Sequence, residues 1–425
     1  MDTKAFLKFL DSAHSTFHAV AALEQMLRSA GYTCLREGDD WEFNPGGKYY
    51  MTRDGGALIA FRIPRSTPEG VMLSASHCDR PTFKVKENGV LTGTYTRLAT
   101  EPYGGMLMGS WLDRPLSIAG RVMVETQQGV QSRLLDIDRD LLLIPNVAIH
   151  MNRKANEGYA WNPAVDTLPL VGGQGAAEKL WELLEAEAGG KILGHDLYLY
   201  IRQRASVWGV AEEYISTQAL DDLACAWSCT RGFVEAGENS AINVLCLFDS
   251  EEVGSATTCG AGSTLLQTVL ERVCRSLGAD LQKLLTNSFM VSADNAHAMH
   301  PNHPEYADPA NAPVLGGGVV LKFNAAQKYT TSGITAAVWR KICQKANVPV
   351  QTYCNRADIP GGSTLGCVSL THVSVPSVDV GIAQLAMHSC YETVAAADVA
   401  QLEKAMQTYY STSLSKDGNG SVDVR

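Results

Sequence analysis

The chain has 425 residues, of which 45% are hydrophobic and 19% are charged, and its formal net charge is −10 at pH 7. This length allows a large hydrophobic core and exceeds that of a typical single domain, so we expect two domains. The negative charge argues against a general binder of nucleic-acid backbones. No segment is both long and apolar enough to predict a membrane span.

The eleven cysteines lie mostly in apolar contexts and show no CxxC spacing. An odd number without paired spacing argues against a disulfide framework or a zinc finger and favours reduced thiols. The N-terminal segment is typical of an amphipathic helix and lacks the apolar stretch of a signal peptide. We therefore expect a cytoplasmic protein with neither a membrane nor a nucleic-acid partner.

The sequence pattern changes after Lys86. Residues 1–30 have a helical pattern, and glycines, short apolar runs and turn signals dominate from Glu87 to about Val207. The second of these stretches predicts a β-rich insertion. The elements predicted up to this point are strands at Ala57–Ile63, Val71–Ser76, Ser117–Glu125 and Asn146–Met151, and a helix at Ala176–Glu187.

From Thr217 onward, strand and helix patterns alternate, which predicts a mostly parallel or mixed sheet with helices on both faces. We expect an α/β domain formed by residues 1–86 and 218–425, interrupted by a β-rich domain at 87–217. The polar tail Ser415–Arg425 is expected to be frayed. The predicted helices are Leu220–Val234, Ser263–Ser276, Gly333–Ala346 and Ala395–Tyr410, and the strands are Asn243–Phe248, Phe289–Ala293, Val319–Asn324, Pro349–Asn355 and Ser374–Val380.

Polar residues recur where the predicted strands end or the helices begin. The most informative are Glu251 and Glu252, because ligands of open α/β sheets bind outside the carboxyl ends of the strands. Adjacent carboxylates there are costly unless a positive charge compensates them, and a metal ion is the usual compensation in a cleft. The segments concerned are Ser74–Asp79, Ala219–Asp222, Asp249–Glu252, Ser292–His297 and Gln384–Ser389.

These segments supply enough imidazoles and carboxylates for two divalent ions. A two-metal site needs a short, rigid bridging carboxylate, and Asp221 at a helix start fits that role. His77 and Asp294 could hold one ion, and Glu252 and His388 the other.

Two further carboxylates complete this hypothesis. Glu251 would remain free to act as a general base. Asp79 lies two residues after His77 on the same extended segment, so it could accept the second ring N–H of that histidine.

Each feature also has a structural interpretation. A Glu-Glu pair alone is usually a solvated surface, and an aspartate at a helix start is more often an N-cap, an interpretation that stays open for Asp222. His388 alone could equally be structural. The metal interpretation is favoured because all five segments fall at strand or helix ends, in an order that fills two sites.

The sequence from His77 to Ser389 resembles the aspartyl aminopeptidase family of cocatalytic metallo-aminopeptidases. Together the matching segments are specific, whereas EEVG alone would not be. They are SASHCDRPTFKVK, GSWLDRPLSIAGRV, AIHMNRKANE, LDDLACAW, LFDSEEVGSATTCGAGS, SADNAHAMHPN, VVLKFNAAQKY and QLAMHS.

The resemblance implies a metallo-aminopeptidase acting on peptides with a free N-terminus, with the same ligand set and Glu251 as the base. It assigns His150 to a neighbouring subunit's active site, and His297, Lys322 and Tyr329 to substrate contacts. It also implies that the inserted domain mediates dimerisation and that the dimers assemble into a homododecamer. Two zinc ions per subunit are expected, with cobalt or manganese as alternatives.

The preferred substrate is less firmly implied. The family prefers N-terminal Asp or Glu, but TTCGAGS and the stretch after His300 depart from its acidic-specific members, so a neutral-specific aminopeptidase is an alternative. A related deacylase or carboxypeptidase, and a shell-forming protein without catalysis, are the other candidates. Lys322 could attract a substrate carboxylate or be a surface lysine, and Arg356 is a weaker candidate for the same role.

Overall fold

The computed structural model describes residues 2–425. Within this range its helices are α1 (Thr3–Leu10), α2 (Thr16–Ser29), α3 (Ala176–Ala188), α4 (Leu220–Glu235), α5 (Leu265–Leu277), α6 (Leu281–Leu285), α7 (Gly333–Ala346), α8 (Leu365–Ser369) and α9 (Ala396–Tyr410). The strands are β1 (Thr33–Cys34), β2 (Lys48–Arg53), β3 (Ala57–Arg62), β4 (Gly70–His77), β5 (Thr82–Leu91), β6 (Thr96–Tyr103), β7 (Leu116–Thr126), β8 (Gly129–Asp136), β9 (Leu170–Gly172), β10 (Ile192–Ile201), β11 (Ser206–Trp208), β12 (Tyr214–Thr217), β13 (Ala241–Phe248), β14 (Phe289–Ala293), β15 (Ala296–His297), β16 (Val319–Phe323), β17 (Val350–Cys354), β18 (Ser377–Gly381), β19 (Ala383–Leu385), β20 (Glu392–Ala395), β21 (Leu414–Lys416) and β22 (Val422–Val424).

A nine-stranded mixed sheet has the order β1-β2-β3-β13-β4-β14-β18-β16-β17. Its central strands β13, β4, β14 and β18 are parallel neighbours, so their carboxyl ends lie at one edge. Successive residues of β13 enter opposite cores: Leu245 packs in the core that contains α4 and α9, and Val244 in the core that contains α5. Burial on both faces explains why this strand is a continuous apolar run.

A six-stranded sheet, β8-β7-β10-β5-β6-β9, is built from residues 82–201 and all its neighbouring strands are antiparallel. One face packs against α3 through Leu180 and Leu184, which join Ile118 and Leu197 in a separate core. A five-stranded sheet, β11-β12-β20-β19-β15, pairs strands before α4 with strands on either side of His388.

The α/β fold with its mixed sheet is confirmed, and no helix within residues 2–425 is long and apolar enough to cross a membrane. Two local predictions are wrong. The segment Asn146–Met151 is irregular and ends in a turn instead of forming a strand. Its apolar side chains are exposed, and that of Met151 is 85% accessible. The tail is not simply frayed, because β21 and β22 form an antiparallel hairpin within it.

Candidate metal centre

The predicted ligands meet at the carboxyl edge of the nine-stranded sheet. His77 is the last residue of β4, Glu252 lies in a short 3-10 turn (Glu251–Val253) after β13, and Asp294 directly follows β14. His77 lies opposite Phe248 in the parallel β4–β13 register, so the two strands end level with each other. The sheet thus brings together residues more than 200 positions apart.

Asp221 occupies the middle of the cluster. Although α4 begins at Leu220, the backbone of Asp221 and Asp222 is not helical. The two oxygens of Asp221 face different imidazoles: Oδ1 lies 3.6 Å from His77 Nε2, and Oδ2 lies 3.5 Å from His388 Nε2. A carboxylate in this arrangement can offer one oxygen to each of two ions.

Two overlapping groups of ligand atoms, each within 4.8 Å, share Asp221. One contains His77 and Glu252, and the other contains Asp222 and Asp294. His388 joins the first group, since its Nε2 lies 3.5 Å from Glu252 Oε2.

All five predicted ligands therefore converge, and Asp222 joins them. Asp222 is fully buried directly before the helical part of α4, and its Oδ2 accepts a hydrogen bond from His77 N at 3.4 Å. The N-cap interpretation of Asp222 stays a prediction. The only sequence signal for its role was its adjacency to Asp221.

The cluster concentrates negative charge away from water. Burial, together with the charges of Asp221 and Asp79, raises the pKa of Glu252 well above its usual range. Burial opposes protonation of His388, but its hydrogen bond to Asp221 and the charge of Glu252 outweigh this and raise its pKa to about 10. Both shifts show that the cluster favours added positive charge, which bound cations would supply.

Buried oxygens without hydrogen-bond partners support the same conclusion. Among the described residues, Asp221 Oδ1, Asp222 Oδ1 and Glu252 Oε1 have none. Buried polar atoms are rarely left unpaired, and carboxylate and imidazole are ligands that zinc and similar ions accept. The side chains present therefore fit divalent metal binding.

Three of the turns that carry these residues contain left-handed backbone. Ser250, Ala219 and His388 have φ values of 64°, 57° and 66°, although none is glycine. Such conformations are costly and persist where the surrounding structure enforces them, often at functional sites.

Asp79 supports the Glu251–Glu252 turn. Its Oδ1 accepts a hydrogen bond from Glu251 N and its Oδ2 accepts one from Glu252 N, both at 3.1 Å. His77 Nδ1 lies 3.1 Å from the main-chain oxygen of Asp79 and 3.4 Å from its carboxylate. Asp79 thus fixes the turn through its side chain and approaches His77 mainly through its backbone.

Comparison with known proteins identifies the family. A family model described as "Aminopeptidase I zinc metalloprotease (M18)" matches residues 9–410. A "Probable M18 family aminopeptidase 2" from Clostridium acetobutylicum is 40% identical over 424 residues, covering 96% of this chain and 98% of the relative. This chain belongs to the M18 family of metallo-aminopeptidases. It is accordingly a metal-dependent aminopeptidase.

Solved structures agree with this M18 assignment. A chain of the structure described as "Cryo-EM structure of the Ape4 and Nbr1 complex" superposes with a TM-score of 0.92 at 33% identity, covering 96% of this chain and 84% of that one. The Saccharomyces cerevisiae mApe1 dodecamer superposes with a TM-score of 0.84 at 25% identity, covering 96% of this chain and 95% of that one.

The substrate residues expected from the M18 resemblance lie in different settings. Lys322 is buried rather than on the surface, and its Nζ donates hydrogen bonds to the main-chain oxygens of Asp294 and Asn295, both at 3.0 Å. The ring of Tyr329 lies 4.9 Å from the same Nζ. His150 lies in an exposed turn.

His297, three residues after Asp294 in the sequence, lines a cavity of about 370 Å³. Part of its wall comes from the segment after His300 that departs from the acidic-specific pattern. Its other polar lining includes His300, His303, Asn355 and Arg356, and no Asp or Glu lines it among the described residues.

The predicted insertion also reaches the site. Gly104 lies against Glu252: a Cβ added there would be 3.0 Å from the glutamate Cβ, and the glycine has a φ of 73°. Leu107 N donates a hydrogen bond to His388 O at 2.9 Å. No sequence pattern indicated these contacts, because they depend on how the two sheets pack.

Proposed function

We propose that this M18 aminopeptidase uses two metal ions and prefers substrates with an acidic N-terminal residue. The observation that supports two ions best is the placement of the Asp221 oxygens, each facing a different histidine. In this proposal His77 and Asp294 hold one ion, Glu252 and His388 hold the other, and Asp221 bridges them. Zinc is the proposed metal, with cobalt and manganese as alternatives.

When bound, such ions lower the pKa of the attacking water and polarise the scissile carbonyl. Glu251 takes the proton from this water and delivers it to the leaving amine. Burial and the charges of Asp294 and Asp79 raise the pKa of Glu251 to about 7. Glu251 belongs to neither ligand group, so it remains free for this role.

The carboxylates around Asp222 explain why a free N-terminal amine is required. A free N-terminal amine would bind to one of the ions with help from these carboxylates, whereas an acylated nitrogen could not. A deacylase would show the opposite preference, so N-blocked substrates separate the two functions.

The cavity beside His297 supports an acidic preference. It contains Arg356 and three imidazoles, and no carboxylate forms its wall, although Glu305 pairs with His303 next to it. Lys322 contributes differently from the expected direct contact, because Asp294 and Asn295 already accept from its ammonium. A neutral-specific aminopeptidase is the alternative, since Arg356 is also paired with Asp358.

The assembly and location are part of the same proposal. We propose that residues 87–217 form the dimerisation domain and that the dimers build a homododecamer, as the mApe1 dodecamer suggests. His150, which is exposed, would then contact the site of a neighbouring subunit. All eleven cysteines are free, which favours the cytoplasm.

The decisive experiment compares Glu251→Gln with the wild type. The variant should keep its metal content but lose about 10²- to 10⁴-fold in turnover, because the amide cannot accept the proton. Metal analysis and turnover of the variant test the role of Glu251 as the base. Cleavage rates on Asp, Glu, Leu and Lys aminoacyl reporter substrates, with N-blocked substrates as controls, test the specificity. Near wild-type turnover in metal-replete Glu251→Gln protein would reject the base, and faster cleavage of Leu than of Asp or Glu would reject the acidic preference.

A further inference from the structure

The carboxylate of Glu392 joins two ligand-bearing segments that are distant in the sequence. Its Oε2 accepts a hydrogen bond from Asp221 N at 3.0 Å, and its Oε1 accepts one from His388 N at 2.7 Å. Glu392 is only 1% exposed, so water does not compete strongly for these bonds. One side chain therefore holds the main chain of both residues.

The five-stranded sheet places Glu392 in this position. Glu392 begins β20 and lies opposite Thr217, the last residue of β12, in an antiparallel pair. The chain leaves β12 toward Asp221 and enters β20 from the turn that carries His388. The carboxylate thus lies where the two segments diverge from the sheet.

The main-chain N–H groups of Asp221 and His388 need a hydrogen-bond acceptor outside the strands. His388 and Ala219 have left-handed backbone, so the local chain leaves the strand ladder on both sides of Glu392. Main-chain N–H groups that are buried outside a ladder require another partner. Hydrogen bonding to Glu392 helps to enforce the conformation of His388, which residues other than glycine seldom adopt.

We propose that Glu392 is a positioning residue that sets the separation of Asp221 and His388, and thereby the affinity of the ion they share. The proposal rests on the two-metal centre proposed above. His388 Nε2 and Asp221 Oδ2 are 3.5 Å apart. The main-chain N–H of each of these two residues donates a hydrogen bond to Glu392. Loss of one of these anchors shifts one ligand relative to the other. Loss of a partner that orients a ligand typically weakens metal binding by about 10- to 100-fold.

Asp398 provides a matched control within the same protein. It is fully buried, and its oxygens accept hydrogen bonds from Gly316 N at 2.8 Å and Gly318 N at 2.9 Å. Asp398 therefore also binds two main-chain N–H groups, but neither belongs to a proposed ligand. If removing a buried carboxylate has a general effect on the protein, that effect should appear when either Glu392 or Asp398 is replaced.

The test compares Glu392→Gln, Glu392→Asp and Asp398→Asn in the full-length protein. Zinc dissociation constants and stoichiometry are measured by competition with a chromophoric chelator, and melting temperatures are recorded on metal-free protein. We expect Glu392→Gln to weaken the binding of at least one zinc ion by about 10- to 100-fold. The glutamine amide has an NH2 group in place of one acceptor oxygen, so one of the two N–H groups loses its partner. Glu392→Asp, which keeps the carboxylate, should fall between Glu392→Gln and the wild type. Asp398→Asn should bind zinc like the wild type, even if its metal-free melting temperature falls.

The outcomes are separable from those of the proposed function. If the wild type binds fewer than two zinc ions, the two-metal centre is wrong, whatever Glu392 does. If the wild type binds two ions and Glu392→Gln binds them equally tightly, or Asp398→Asn weakens them as much, the role of Glu392 is rejected. Should Glu392→Gln fail to fold, wild-type zinc affinity in Glu392→Asp overturns the proposal.

Discussion

Strands β13 and β8 both contain eight residues, yet their environments differ sharply. Every residue of β13 is buried, whereas most of β8 is exposed, including Val130 and Leu134. The first lies in the nine-stranded sheet, which is covered on both faces. The second lies at the edge of the six-stranded sheet.

This difference explains the position of the candidate metal centre. Strands β4, β13 and β14 are buried along their whole length, so the turns at their ends start from fixed positions. Such a frame can hold several carboxylates close together against their mutual repulsion. The six-stranded sheet has no comparable frame at its exposed edge, but it contributes contacts that reach the site.

The comparison predicts that equivalent changes have unequal effects in the two regions, most strongly for carboxylates. Asp221→Asn should reduce turnover by more than about 100-fold, the upper range for losing an orienting partner, and should release metal. The amide has one oxygen and no charge, so it cannot bridge two ions. Metal analysis after gel filtration and steady-state rates measure both effects.

The control in the six-stranded sheet is Asp196→Asn. Asp196 is paired with Lys84 at 3.0 Å and with Arg121 at 2.7 Å, so it is also held by two basic side chains. This variant should retain its metal. Two tightly bound ions in Asp221→Asn protein would contradict the bridging role.

The second prediction concerns packing. Leu245→Ala in β13 should lower the free energy of unfolding by about 2–5 kcal/mol, because it leaves a cavity in a core that cannot collapse. Leu134→Ala in β8, where the side chain is 46% exposed, should change it by no more than about 0.5 kcal/mol. Urea unfolding of both variants at equal protein concentration measures the difference. A large effect of Leu134→Ala would show instead that another subunit covers β8.

The fold was largely predictable where burial imposes a clear pattern. The apolar run that forms β13 and the helical pattern that forms α7 predicted their elements closely, since each has a strong periodic signal. The six-stranded sheet was only partly predicted, because strands such as β8 mix exposed apolar and polar residues without clean alternation. The predicted strand at Asn146–Met151 failed for the same reason: exposed apolar side chains imitate a buried face.

The site was predictable to a similar extent. His77, Glu252 and Asp294 follow or end recognisable strands, so chain order alone placed them at one edge. The positions of Asp222 and Glu392 depend on backbone outside regular structure and on the pairing of β12 with β20, neither of which leaves a sequence pattern. Contacts between sheets, such as that of Gly104 with Glu252, are equally invisible in the sequence.

A third prediction concerns the contact between the N-terminal helices and the six-stranded sheet. His18 in α2 is half-buried, and burial lowers its pKa from 6.5 to about 4 despite the charge of Asp136, with His14 and Arg80 adding to the decrease. The unfolded chain therefore binds the proton more tightly than the folded one. Stability from this group is complete above pH 6.5 and is lost as the pH falls toward 4.

The expected loss is about 2 kcal/mol, allowing for partial exposure of the ring. The difference in unfolding free energy between the wild type and His18→Gln should be constant above pH 6.5 and should shift against the wild type below it. Urea titrations at several pH values between 4 and 8 measure this. A difference that does not vary over that range would show that His18 keeps an ordinary pKa.

The smallest expected effect tests the link between the two sheets. Tyr103, the last residue of β6, donates a hydrogen bond from its hydroxyl to Asp79 Oδ2 at 2.9 Å, and its ring packs edge-on against Tyr198. Tyr103→Phe removes this bond but keeps the ring. Because Asp79 still accepts from Glu251 N and Glu252 N, the turn should loosen only slightly. We expect a loss of about 1 kcal/mol, seen as a roughly fivefold fall in turnover or zinc affinity.

Tyr198→Phe is the matched control, because it removes a hydroxyl from the same aromatic pair and leaves every hydrogen bond to Asp79 in place. Its turnover and zinc affinity should equal those of the wild type. If the two variants behave alike, the hydrogen bond from Tyr103 to Asp79 does not couple the six-stranded sheet to the candidate metal centre. If only Tyr103→Phe is impaired, the less buried sheet tunes the site through a single hydrogen bond to a carboxylate that the nine-stranded sheet holds in place.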